Sequence, residues 1–281
     1  MTQAVVRTQT PEEREYARYL TEIETRKRRV ADLQAELEAL KVALGRFEAE
    51  YHARVGVLFV ELDRVRLAID EYERRIAWLQ SHPDGDPAEA ESEIERDFRH
   101  RREEIHTEEE ETRRYERAFQ RDQERPKLAA DAEEETKHLY RDLAKRYHPD
   151  LARTDAEKRQ RETIMQRVNA AFQDRNLDAL RGLFREAEVE DPAFEARSIG
   201  EKLVWAIREV ARLDELITGL EVELAAMRGS DTHQLWSRQE AGEEVIESLE
   251  NDLRGNVISE RDRLAELVAT YRQVLDRQRA R

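Results

Sequence analysis

The sequence predicts an all-α protein made of long helices rather than one large compact core. Charged residues make up 40% of the 281 residues and hydrophobic residues 39%, with nine glycines and six prolines in the whole chain. This balance is typical of extended helices. Apolar residues also recur at heptad spacing along most of the chain, which is the pattern of a coiled-coil seam. We therefore expect an elongated molecule in which coiled-coil helical hairpins flank a small helical module.

The first long helix is predicted to begin at Thr10, where a hydroxyl cap precedes Pro11 and two acidic residues. From there an apolar residue occurs at every seventh position, at Ile23, Val30, Leu37, Leu44, Tyr51, Leu58, Val65, Tyr72 and Leu79. The apolar residues that accompany this series change their offset near Gly56. We expect the buried face to rotate there, so that the two halves of the helix meet different partners.

A returning arm follows the first helix. The residues SHPDGDP at 81–87 break the helix, and the charged segment 88–124 carries only a thin apolar stripe. At the rise of an α-helix, the first helix could extend about 100 Å and the arm about 55 Å. The arm can therefore cover only the second half. Leu20 to Leu44 must be covered by the C-terminal region or by another copy of the chain, which would make the protein a homo-oligomer through its N-terminal coiled coil.

One stretch carries more information than helical periodicity, and it reads KHLYRDLAKRYHPD at residues 137–150. Its apolar stripe is Leu139, Leu143 and Tyr147, and its basic face is Lys137, Arg141 and Lys145, joined by Arg146. Because Pro149 lacks an amide donor and disfavours a helical residue before it, the helix should end at a turn. We expect that turn to display His148 and Asp150.

A second helical pattern follows at residues 157–172, with Ile164, Met165, Val168 and Phe172 at spacings of three and four. After it, Asn176 is a candidate cap for a short helix. The apolar residues of that helix are Leu177, Leu180, Leu183 and Phe184.

The order of a basic helix, a His-Pro-Asp turn and a VNAAF helix resembles helices II and III of the J-domain family, the DnaJ-like co-chaperones of heat-shock-70 ATPases. The resemblance covers residues 126–186. It departs at Asp142, where many members carry a base, and at Met165, where many carry phenylalanine. The family's first helix has no recognisable counterpart in residues 126–135. The matching residues are Tyr140, Arg141, Leu143, Ala144, Arg146, Tyr147, His148, Pro149, Asp150, Val168, Ala171 and Phe172.

The resemblance implies a partner and a mechanism. The basic helix would dock on an acidic patch of an ATP-bound heat-shock-70 chaperone, and charge would steer the encounter. His148, Pro149 and Asp150 would then trigger ATP hydrolysis by that chaperone. The other residues expected to contact it are Lys137, Tyr140, Arg141, Lys145 and Arg146. The chain itself would be no enzyme and would need no cofactor or metal, while its coiled coils would choose an unknown client or a location.

The tripeptide alone is not specific, because His82, Pro83 and Asp84 spell it a second time. Around that copy, Trp78 and Leu79 stand in place of a basic helix that ends in tyrosine. Two prolines and a glycine nearby mark a plain turn. We therefore expect only the second copy to be functional.

The predicted segments are a tail (1–11), a long coiled-coil hairpin (12–125), a J-domain-like module (126–186), a linker (187–197) and a C-terminal coiled-coil hairpin (198–281). Because the family's first helix is missing, we expect a flanking hairpin to pack against the module and supply part of its core.

The other function classes are less well supported. A net charge of -15 argues against a general binder of nucleic acid or anionic membranes, which needs clustered cations. The absence of cysteine and of a long apolar run favours a cytoplasmic location. A helix-end turn without a nucleophile or metal ligands argues against catalysis. The remaining alternative is a structural coiled-coil scaffold or adaptor whose J-like module is degenerate and inactive.

Overall fold

The computed structural model describes residues 10–124, 130–152, 154–185 and 198–279. Within these residues the chain forms helices and turns and no strand, so the predicted all-α class is confirmed. The predicted tail is described only from residue 10 onwards, and the predicted linker 187–197 lies outside the described residues. In the part of the chain that is described, no helix combines the length and the apolar content needed to cross a bilayer.

The helices follow one another along the chain and group into two compact units. In order they are α1 (Pro11–Tyr51), a π-helical turn (His52–Gly56), α2 (Val57–Ser81), α3 (Pro87–Glu124), α4 (Ala130–Tyr147), a 3-10 turn (Pro149–Leu151), α5 (Asp155–Gln173), α6 (Leu177–Arg185), α7 (Ile199–Arg228), α8 (Asp231–Glu240) and α9 (Val245–Arg279). Unit 1 combines Met1–Ala43 with Pro126–Ser230, and unit 2 combines Leu44–Arg125 with Asp231–Arg281.

The start of α1 follows the predicted capping pattern. The Glu13 N–H donates to Thr10 Oγ1 at 3.2 Å, and the Thr10 N–H donates to Glu13 Oε2 at 2.8 Å. This reciprocal pair satisfies two backbone donors that a helix start would otherwise leave unpaired. The hydroxyl cap at Thr10 is confirmed.

Each residue of the heptad series of the first helix is buried or half-buried. The π-helical turn His52–Gly56 lies where the accompanying apolar residues change their offset. A π turn spans one residue more per hydrogen bond than an α turn, so the residues beyond it are displaced around the helix axis. This turn is the physical cause of the rotation predicted near Gly56.

Unit 2 is packed around α2. The helix breaks at 81–87 as predicted, and α3 returns along α2, where it buries Ile94 and Ile105. The sequence predicts that the last helix pairs with the helix that ends before Gly229. Within unit 2, that last helix, α9, packs along α2. The cluster that joins α9 to α2 and the end of α1 contains Phe47, Val55, Leu62, Ile246, Leu253 and Val257.

The core of unit 1 is shared between α1 and the three short helices α4, α5 and α6. Its buried members are Tyr140, Leu143 and Ala144 of α4, Met165, Val168, Ala171 and Phe172 of α5, Leu180 and Leu183 of α6, and Ala31 and Ala35 of α1. The expectation that a flanking helix supplies part of the module's core is therefore confirmed.

A second face of α1 lies along α7 in unit 1. Arg26 Nε pairs with Asp214 at 2.7 Å, Arg29 pairs with Glu221 at 2.7 Å, and a further ion pair joins α1 to Arg228. The buried residues of α7 are Ala206, Val210, Leu213, Leu220 and Leu224. Of the two predicted covers for the N-terminal seam, the chain's own C-terminal region is the one present in unit 1; self-association stays a prediction.

We predict that Val30→Lys combined with Leu37→Lys lowers the free energy of unfolding by at least about 3 kcal/mol, because an unpaired charge enters a dry seam. The two side chains are 0% and 1% exposed. Urea unfolding monitored by circular dichroism measures the effect. Leu20→Lys, on the same helix at a position 38% exposed, is the control and should leave the midpoint nearly unchanged. Equal urea midpoints for the wild type and the double variant would show that the seam is not packed.

We also predict that an excised fragment of residues 126–186 unfolds without a cooperative transition. It lacks Ala31 and Ala35, and a module of about sixty residues is marginally stable even with a complete core. In the full chain, the amides of α4 and α5 should be protected from hydrogen exchange. A sharp transition of the fragment at the melting temperature of the full protein would contradict the borrowed core.

Candidate partner-binding site

The predicted His-Pro-Asp turn forms at the end of α4. The His148 N–H donates to the Ala144 carbonyl oxygen at 2.9 Å and closes the last helical turn. Pro149 cannot donate, so the next hydrogen bond is that of the 3-10 turn, from the Leu151 N–H to the His148 carbonyl oxygen at 3.0 Å. Leu151 is buried and anchors the far side of the turn.

The expectation that the turn displays the histidine is wrong, because His148 is only 6% exposed. Its Nδ1 accepts a hydrogen bond from the Asp150 N–H at 3.2 Å, and its Nε2 lies 3.2 Å from Oε1 of Gln34 on α1. Because Nδ1 is the acceptor, the ring proton of the neutral imidazole is on Nε2. This proton is donated to Gln34.

Burial lowers the pKa of His148, because removal from water disfavours the charged ring. The neighbouring cations Arg212, Arg161 and Lys158 act in the same direction, whereas Asp150 opposes them. A protonated ring would also carry a hydrogen on Nδ1 and lose the bond from the Asp150 N–H. The folded turn is therefore built for neutral histidine.

Three basic residues of α5 and α7 hold the rest of the turn. Lys158 Nζ lies 3.4 Å from the Asp150 carboxylate, and Arg161 Nη1 donates to the backbone oxygen of the histidine at 3.4 Å. Arg212 of α7 donates to the Asp150 backbone oxygen. Glu209 fixes that guanidinium with two bonds of 2.9 and 2.6 Å. The Asp150 side chain remains 45% exposed, so the predicted display holds for the aspartate.

Two cations of the predicted basic face are paired with acids of α1. Lys145 Nζ lies 2.8 Å from the Glu24 carboxylate, and Arg141 Nε lies 3.5 Å from the Asp32 carboxylate. The hydrogen bond from Lys145 lowers the pKa of Glu24. All four side chains keep contact with solvent, so the pairs are exposed and individually weak.

The other two cations of this face contact the module itself. Lys137 Nζ pairs with Glu133 one turn earlier on α4, at 3.0 Å. The Arg146 guanidinium lies 5.3 Å from the centre of the Phe184 ring on α6, which is within the range of a cation–π interaction. The four predicted cations therefore share one helix but have different neighbours.

Tyr140 is a core residue rather than a surface contact. It is 0% exposed, and its hydroxyl donates to Asn169 Oδ1 at 2.9 Å. Burial raises its pKa, and the negative charge of Glu38 acts in the same direction. In this arrangement Tyr140 has no surface to offer a partner, which corrects the prediction. The buried stripe of α4 passes through Tyr140 and Leu143, while Leu139 and Tyr147 are half-buried.

The other His-Pro-Asp copy folds differently. The His82 ring stacks on Trp78 with 4.6 Å between ring centres, and its Nδ1 lies 3.1 Å from the Trp78 carbonyl oxygen. A carbonyl can only accept, so here the proton is on Nδ1, the opposite of His148. Gln278 donates to the carbonyl oxygens of His82 and Gly85 at 3.2 and 3.0 Å. This copy closes the turn between α2 and α3 in unit 2.

Four residues of distant helices were not predicted from the sequence: Gln34 and Arg212 contact the turn, and Glu24 and Asp32 pair with the basic face of α4. One signal was present, because Ala31, Ala35 and Ala39 recur every four residues. Small residues at this spacing indicate a second packing face of α1. No local pattern identified Arg212.

We predict that the stability of the wild-type chain falls more steeply on acidification than that of His148→Gln. The pKa of His148 is lower in the folded chain than the ordinary 6.5, so the unfolded chain binds more protons between the two values. The contribution is present above 6.5 and is lost as the pH falls towards the folded pKa. Urea midpoints at about pH 7.5 and about pH 5.5 measure it.

The control for this measurement is His138→Gln, which removes an exposed histidine from the same helix. Its midpoints should follow those of the wild type at both pH values. The same acid-induced loss in wild type and His148→Gln would show that His148 is not held neutral.

Comparisons with known proteins identify no relative in which this geometry could be compared. No family model, no curated protein and no solved structure matches the chain. The resemblance to the J-domain family thus depends on the residues of α4, the turn and α5 themselves.

Proposed function

We propose that this chain is a J-domain-type co-chaperone that stimulates ATP hydrolysis by a heat-shock-70 chaperone. The observation that carries the proposal is the turn at the end of α4. A helix with four cations ends in a His-Pro-Asp turn whose backbone is fixed by the His148 ring, while the Asp150 carboxylate stays partly exposed beside α5. This is the order of features that the J-domain resemblance implies.

The physical argument starts from charge. The chain has a net charge of -15, yet residues 137–147 of α4 contain one acid, Asp142, and the four cations Lys137, Arg141, Lys145 and Arg146. Such a local patch steers an acidic partner by long-range attraction and orients it on α4. The partner would then meet Asp150 at the end of the same helix. The chemistry of ATP hydrolysis belongs to the partner, and the long helices of unit 2 would choose a client or a location.

The second candidate is a structural scaffold whose J-like module only packs. It is favoured by the burial of His148 and by the ion pairs that already engage Arg141 and Lys145. A scaffold needs α4 only as a core element, as Tyr140 and Leu143 provide. The two candidates differ in one measurable quantity, which is the effect of the chain on the ATPase rate of a heat-shock-70 chaperone.

We predict that the full chain raises the steady-state ATPase rate of a DnaK-type chaperone and that Asp150→Asn abolishes this effect. The side chain is partly exposed, so the substitution should leave helicity and melting unchanged. Asp84→Asn is the matched control, because it makes the same change in the other His-Pro-Asp copy and should leave stimulation intact. Absence of stimulation by the wild-type chain would favour the scaffold, and equal losses in both variants would contradict the assignment of the site.

A further inference from the structure

Helix α1 presents acceptor groups to the residues that the proposed partner would use. Glu24 pairs with Lys145, Asp32 pairs with Arg141, and the side-chain oxygen of Gln34 lies 3.2 Å from His148 Nε2. These three acceptors come from one helix and meet the basic face and the turn together. An acidic surface of a partner would have to make contacts of the same chemistry with the same donors.

We propose that α1 is a built-in competitor of the partner chaperone, so that the site is closed until the acidic side of α1 is displaced from α4. This inference depends on the proposed function, since it concerns the regulation of that same site. The occupant that displaces α1 is an acidic protein surface, because the groups to be satisfied are an ammonium, a guanidinium and an imidazole N–H.

The contacts of α1 with α4 are of two kinds, exposed ion pairs and buried apolar contacts. They differ in how easily an acidic partner can replace them. The ion pairs of Glu24 and Asp32 are exposed, and such pairs exchange readily and are screened by salt. The alanine contacts of Ala31 and Ala35 are buried in the core of unit 1. An acidic partner can therefore compete for the cations first, while the apolar contacts keep α1 attached to the module.

Displacement of α1 would also break the hydrogen bond between His148 and Gln34. Among the described residues, the acceptor of the His148 Nε2–H is Gln34 of α1, and a buried donor without an acceptor is costly. Displacement of this part of α1 therefore leaves a donor that water or the partner must satisfy. Displacement of α1 therefore changes the hydrogen bonding of His148 as well as the ion pairs of the α4 cations.

The test is the double variant Glu24→Gln and Asp32→Asn, which removes both negative charges and keeps the size of the side chains. The concentration of the full chain that gives half-maximal ATPase stimulation of a DnaK-type chaperone should fall by roughly fivefold, the scale expected for two exposed ion pairs. The difference between variant and wild type should shrink as salt is added. Circular dichroism should show unchanged helicity.

The matched control is Glu22→Gln and Glu36→Gln. It removes the same charge from α1, but these carboxylates pair with Arg26 and Arg228 rather than with α4. The control should behave as the wild type. An equal gain in both double variants, or no gain in Glu24→Gln and Asp32→Asn, overturns the competitor role and leaves the co-chaperone function standing. If no version of the chain stimulates the ATPase, the proposed function fails and the competitor role fails with it.

Discussion

The packing of α1 on two faces is the constraint on which unit 1 depends. One face carries Ala31 and Ala35 into the core of the module formed by α4, α5 and α6, and the other lies along α7 through ion pairs of Arg26 and Arg29. The module spans three short helices, which is too few to bury a self-sufficient core. The stability of the module is therefore coupled to α1, which begins more than a hundred residues earlier in the chain. The shape of the His-Pro-Asp turn, which α1 contacts, is coupled to it as well.

The same coupling sets the chemistry of the turn. His148 Nδ1 accepts from the Asp150 N–H and its Nε2–H donates to Gln34, so the ring is held as one neutral tautomer. The copy at His82 has the same three residues, yet a ring stacked on Trp78 and a bond to a helix carbonyl place its proton on the other nitrogen. A short motif thus specifies a helix end through its proline. The surrounding helices decide which hydrogen bonds its histidine can make.

The cations of α4 are also constrained by acidic residues of the same chain. The chain carries 64 acidic and 49 basic residues, so the cations of α4 have many possible partners within the protein itself. In unit 1 two of them meet Glu24 and Asp32. Any acidic surface that docks on α4 must compete with these carboxylates rather than bind to free cations. In an acidic chain of this kind, the strength of a basic site depends as much on its internal partners as on its own residues.

Local chemistry along the chain is enough to predict where several helices begin and end. Thr10 and Pro11 begin α1, the residues at 81–87 end α2, and Pro149 ends α4; the shift of apolar residues near Gly56 matches the π turn. Apolar periodicity shows that a helix has a face to bury, but not which helix will cover it.

The burial of Tyr140 and His148 depends on contacts between helices that are far apart in the chain. Gln34 is separated by 114 residues from the histidine it contacts, and Arg212 by 62 residues from Asp150. Contacts of this kind arise from the packing of α1 and α7 with the module. They leave no trace in the spacing of residues along any single helix, because each partner is a polar side chain on an otherwise ordinary amphipathic surface.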